Sequence, residues 1–187
     1  MMNNFFSMSD DEREEKGAFK KILRIYSDGQ IDYNVRFDLI EYDFTKDEDI
    51  IEILSDPEIG YGPEELNSMK DLISITAVME KKKYIFVLDL KNKFTQERKK
   101  ILEKYPENLQ LGFCLPNWIR YCEEIDYSST ANLQNALMDL MIDFAFTKSG
   151  YTVIRVKDGA FDWSASGAMA KLEEMIDQAE RGEFCEI

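Results

Sequence analysis

Asp89 and Lys91 close the run Tyr84-Ile85-Phe86-Val87-Leu88-Asp89-Leu90-Lys91. A spacing of two puts both side chains on one face if the strand continues through them. There an aspartate can hold a divalent cation, and a lysine can steady an attacking water or a developing charge. The competing reading is a strand end whose charges turn to water and which needs no cofactor.

Other chemistry is excluded by composition. The chain has no histidine, which removes Ser-His and Cys-His nucleophile pairs, His-ligated zinc and His-based proton transfer. Cys114, Cys122 and Cys185 have no metal-ligand spacing, and their odd number argues against a disulfide framework. A reducing, cytoplasmic setting is expected. Cys114 reads as core. Met1 to Lys16 has no apolar core behind a basic start, so no secretory leader is expected, and no apolar run approaches about 20 residues, so no membrane association is expected.

Charge divides the chain. The net charge is −14 over 187 residues. Nine of the residues from Lys81 to Lys104 are basic and three acidic, so this segment carries +6 and the remainder −20. Asp38 to Glu58 holds nine acids against Lys46 alone. Such a field repels nucleic acid, except through Lys81–Lys104, and attracts a basic protein. Candidate binding residues are Asp38, Glu41, Tyr42, Asp43, Phe44, Asp47, Glu48 and Asp49, aromatic anchors inside a charged rim. A solvated loop and helix face is the plainer reading of the same run. Lys81-Lys82-Lys83 reads as a solvated hairpin tip, and Arg98-Lys99-Lys100 as a run spread around a helix.

The elements that must position these groups follow from patterning. Hydrophobic content of 44% and aromatic content of 12% suit one folded domain with its own core. Residues 1–16 form an acidic arm or a short helix, with Ser9 and Glu12 as a capping box, and 17–187 form the domain. Asp28-Gly29 joins Phe19–Tyr26 to Ile31–Tyr42 as a predicted β-hairpin. In the second arm Ile31, Tyr33, Val35, Phe37 and Leu39 alternate onto one face, and Leu39-Ile40 breaks the pattern. Thr45–Leu54, with Thr45 as its N-cap, and the segment opened by Pro63 read as helices. Leu72–Met79 and the run from Tyr84 make a second hairpin, and five apolar residues in a row place Tyr84–Leu88 at the sheet centre. Thr95 caps a helix to about Tyr105, Leu109–Leu115 is a strand, and Pro116 starts a short helix. Ser128–Thr130 cap the most apolar helix, which ends at Gly150. Tyr151–Val156 is a strand, and Ser164 or Ser166 opens the last helix, ended by Gly182.

The predicted fold is therefore α+β with an α/β-like second half. A mixed central sheet of about 5–6 strands, with two β-hairpins in the first half, is flanked by helices.

Two functions follow as expectations. The first is an acidic, non-catalytic interaction protein that binds and inhibits or regulates a basic partner, a protein that acts on nucleic acid being one such partner, in the manner of an immunity protein or a phage-encoded inhibitor. The second rests on likeness. Asp71 with Asp89-x-Lys91 resembles the Asp…(Asp/Glu)-x-Lys motif of restriction-endonuclease-like nucleases, over Glu64 to Leu115. The resemblance implies cleavage dependent on Mg2+ or Mn2+, or an inactive relative, with Asp71 (Glu65 and Glu80 being weaker matches) and Asp89 as metal ligands and Lys91 as the catalytic cation.

Overall fold

The computed structural model describes residues 9–37, 40–128 and 132–182. Helix α1 (Asp10–Tyr26) leads into strand β1 (Asp32–Arg36), then α2 (Glu48–Leu54) and α3 (Pro63–Met69). Strands β2 (Ser74–Met79) and β3 (Tyr84–Asp89) are followed by α4 (Gln96–Leu102), α5 (Leu115–Ile125) and α6 (Asn132–Lys148). Strand β4 (Thr152–Lys157) and α7 (Ala168–Arg181) complete the described order. The strands form one open sheet in the order β1-β2-β3-β4. The pairs β1–β2 and β2–β3 are antiparallel, and β3–β4 is parallel, with Val87 opposite Arg155 and Asp89 opposite Lys157.

Helices cover both faces. Phe19 and Leu23 of α1 and Leu172 and Ile176 of α7 pack on Phe86, Leu88, Ile154 and Val156. The opposite face, with Ile85, Val87 and Val153, lies under α2 to α6, and α6 supplies the largest share of that core. Strand β3 is buried at every residue, the central position its apolar run predicts.

Two expected strands are absent among the described residues, which reduces the predicted five or six to four. The first arm of the predicted Asp28-Gly29 hairpin is helix. Phe19, Ile22, Leu23 and Tyr26 recur at helical spacing, and the Ser9/Glu12 capping box starts a helix that runs unbroken to Tyr26. Asp28 (φ 51°) and Gly29 (φ 76°) then turn the chain out of it, so the dipeptide serves a helix end rather than a strand turn. Leu109–Leu115 is reduced to a single parallel bridge between Gly112 and Ile154. A Cβ at Gly112 would lie 2.4 Å from the Val153 carbonyl oxygen, so this close approach requires glycine.

The alternation expected of β1 is also broken. Ile31 and Tyr33 pack in the layer of α1 and α7, whereas Val35 and Phe37 pack in the other. Asn34 lies between them in the left-handed region (φ 52°), and one such residue reverses the pleat. The neighbouring strand matches it: Ile75 and Ala77 also fall in different layers, and the Thr76 hydroxyl accepts from the Leu88 N–H at 3.1 Å. The break expected at Leu39-Ile40 and the cap at Ser128–Thr130 lie outside the described residues in part, as do residues 1–8 of the N-terminal arm.

Candidate functional site

Asp89 is the last residue of β3, and it is fully buried. The side chains of Ile85, Val87 and Asp89 share one face, and Val153 and Arg155 of β4 share the same one. Arg155 therefore reaches Asp89: its Nη1 donates to Asp89 Oδ1 at 2.8 Å. Thr95 caps α4 through its hydroxyl, and this cap fixes the first turn so that Arg98 points back at the strand end. Arg98 Nη2 and Trp118 Nε1 both donate to Asp89 Oδ2, at 2.8 and 2.7 Å.

Helix α6 faces this point with Asp139 and Asp143, one turn apart on one side. Asp143 accepts from Arg155 Nε at 2.8 Å and from the Tyr105 hydroxyl at 2.9 Å. Asp139 accepts from Arg155 at 3.4 Å and from Lys93 at 3.3 Å, and lies 3.7 Å from Arg98 Nε. Three carboxylates thus face two guanidiniums and one ammonium, and of the six only Lys93 reaches solvent appreciably. Burial alone would push the Asp89 carboxyl up. The charges of Arg155 and Arg98, with the hydrogen bonds from Arg98 and Trp118, overcome it and hold the group well below the usual carboxylate range. The same carboxylates keep Arg98 and Arg155 protonated against their own desolvation.

A carboxylate whose two oxygens already receive three charged or indole donors has little left for a cation or a proton. This network joins β3, β4, α4, α5 and α6 at one end of the sheet. Asp71 lies exposed on the turn Lys70–Leu72 before β2, and Lys91 lies exposed on the turn Lys91–Lys93. The strand stops at Asp89, so Leu90 ends the period of two that would align Lys91 with it. Asp89 is thereby enclosed with arginines while its expected companions stand in water. Among the described residues no group of three Cys, Asp or Glu is placed to hold a metal ion.

The acidic run folds into a second feature, a shallow concavity of about 500 Å³ lined by Glu41, Tyr42, Asp43, Lys46, Asp47, Glu48, Asp49 and Lys148. Asp47, rather than the expected Thr45, caps α2, accepting from the Asp49 and Ile50 N–H groups. Lys148, at the end of α6, donates to Asp47 and to Asp49 at 2.6 Å. The Tyr42 hydroxyl donates to Asp47. Burial favours a raised Asp47 pKa, but the bonds from Lys148 and Tyr42 draw it below the usual range. Asp43 is lowered chiefly by its bond from Lys46. Phe44 is wholly buried against Phe37 and Tyr42, so it anchors the loop to the core and is no contact for a partner. Glu41 and Glu48 stand exposed at the rim. Asp38 lies outside the described residues.

No known protein family, curated protein or solved structure matches this chain.

The basic segment is not the free surface its sequence suggests. Lys100 pairs with Glu58 and Lys104 with Asp56, both in the acidic run, while Lys99 pairs with Glu103 and Glu123. Arg98 and Lys93 belong to the buried network. Lys82 lies over the Tyr26 ring and Lys83 over the Tyr151 ring. Cys114 starts α5 and is disulfide-bonded, against the expectation of unpaired thiols. Burial pushes the free Cys122 thiol up to about 11, which removes it as a nucleophile at neutral pH.

Sequence reading missed Arg98, Asp139, Asp143 and Arg155. The signal was present: Leu-Met-Asp-Leu-Met-Ile-Asp-Phe-Ala-Phe places two acids in an otherwise apolar helix, and Val-Ile-Arg-Val places a guanidinium inside a strand. Buried charges require partners, and two aspartates opposite two arginines are such a set.

Proposed function

We propose that this protein is an acidic, non-catalytic interaction protein that docks a basic segment of a partner protein on the concavity around Tyr42, and so inhibits or regulates that partner. The observation that carries the reading is the concavity itself. Five carboxylates (Glu41, Asp43, Asp47, Glu48 and Asp49) surround it against Lys46 and Lys148, and Lys148 with the Tyr42 hydroxyl fixes its floor. A preformed acidic rim around a half-buried aromatic ring favours lysine- and arginine-rich ligands and speeds their encounter. The whole-chain charge of −14 adds to the steering.

Glu41 and Glu48 are the residues to test, because both are exposed and neither holds the loop in place. Asp47 is unsuited, since it caps α2 and binds Lys148. Affinity capture from source cells with the wild-type chain should recover a basic protein at low salt. The same capture with Glu41→Lys/Glu48→Lys should lose it. Recovery that is equal with both chains, or no specific capture by the wild type, rejects the proposal.

A further inference from the structure

A cleft of about 170 Å³ opens beside the carboxyl end of β4, between α5 and α7. Open α/β sheets place ligand crevices at such ends of parallel strands. Trp118, Tyr121, Phe161 and Trp163 form much of its wall. The charge of the wall is more telling. Among the described residues Arg155, Lys157 and Lys171 line it and no Asp or Glu does, in a chain with 37 acids and 23 bases.

These cations are not equivalent. Arg155 is spent on Asp89, Asp139 and Asp143, and Lys171 pairs with Glu174. Lys157 makes no ion pair within 4.0 Å among the described residues; its ammonium lies 5.0 Å from the Tyr121 ring centroid. The amides of Asn117 and Gln178 add polar partners. The buried indole N–H of Trp163, also in the wall, has no hydrogen-bond partner among the described residues.

We infer that this cleft binds a small molecule made of one aromatic ring bearing one anionic group, carboxylate or phosphate. The ring stacks among the aromatic side chains and the anion meets Lys157. Size sets the limit to one ring, because an apolar cavity of about 150 Å³ holds one benzene. An aromatic-lined pocket with a few convergent polar groups is the usual design of small-ligand sites, and a charge-assisted bond from lysine fixes the anionic end.

The chain's only two tryptophans, Trp118 and Trp163, both line the cleft, so intrinsic fluorescence reads its occupancy directly. The probes are benzoate and phenyl phosphate, with benzamide as the neutral ring and inorganic phosphate as the anion without a ring. Saturable quenching in the millimolar range or tighter is expected with at least one ring anion, at least tenfold weaker with benzamide, and absent with inorganic phosphate. Whichever ring anion binds more tightly identifies the anionic group. Lys157→Met, which keeps the aliphatic stem, should weaken binding about tenfold at an unchanged melting temperature. Ala160→Phe, at an exposed position on the cleft, should block it and serves as the second variant if Lys157→Met does not fold. No saturable change with either ring anion up to about 10 mM, equal binding of benzamide, or wild-type affinity in both variants overturns the inference.

Discussion

Asp89 is the residue on which two accounts of the chain diverge, and its surroundings decide what its loss should do. Asp89→Asn keeps the shape but leaves Arg98 and Arg155 short of a negative charge inside the protein. Breaking one member of a buried ion network costs about 3–5 kcal/mol, so urea denaturation should show a loss of that size. A loss below about 1 kcal/mol would mean that the network is open to water. Asp89 also sets the acid limit. Its depressed pKa gives stability that is present above the ordinary carboxylate value of about 4 and is lost as pH falls through the lower, folded value. Glu15 acts the other way. Partial burial and its hydrogen bond with the Asp158 carboxyl push it up to about 7, against the N–H of Gly159 and the charge of Lys157, which draw it down. A raised acid gives stability that is complete below its unfolded pKa of about 4.5 and is lost as pH rises through about 7. Between pH 5 and pH 8 the wild type should therefore lose stability relative to Glu15→Gln, measured as the difference in denaturation midpoint. Parallel pH profiles would show that Glu15 does not hold a proton there.

At the scale of elements, the sheet edge depends on one close approach. Gly112→Ala places a methyl group against the Val153 carbonyl, which forces backbone to move. A loss of about 1–3 kcal/mol in unfolding free energy is expected from such overpacking, and an unchanged midpoint would show that the bridge to Ile154 is dispensable. The elements most legible in the sequence are those with long, consistent patterns: β3 from its five apolar residues, the β2–β3 hairpin, α6 from its apolar stripe and α4 from its Thr95 cap. The failures have local causes. Phe19 to Tyr26 carries aromatic and branched residues that suit a strand, but the Ser9/Glu12 box upstream starts a helix whose apolar side finds Phe86 and Trp163. The reversal at Asn34 left no period to detect, because a left-handed residue changes which side chains share a face without changing which residues are apolar. Of the site, the acidic stretch 41–49 and Asp89 were visible as residue types. Their roles were not, since a capping Asp47, a buried Phe44 and an arginine-bound Asp89 depend on α6 and β4, far along the chain.

For the molecule as a whole, the net charge of −14 is arranged rather than spread. Lys100 of α4 and Lys104 just beyond its end neutralise Glu58 and Asp56, and the buried network balances its own charges. The carboxylates at Glu41 to Asp49 answer chiefly to Lys46 and Lys148. Among the described residues no helix is long and apolar enough to cross a membrane. The measurement that tests the central claim most directly is an equilibrium titration of the captured basic partner against the wild-type chain and Glu41→Lys/Glu48→Lys, at low and at physiological salt. The account predicts binding by the wild type that weakens as salt rises, and a loss of about tenfold or more in the double variant at low salt. Equal affinity of the two chains, or an affinity indifferent to salt, would contradict it.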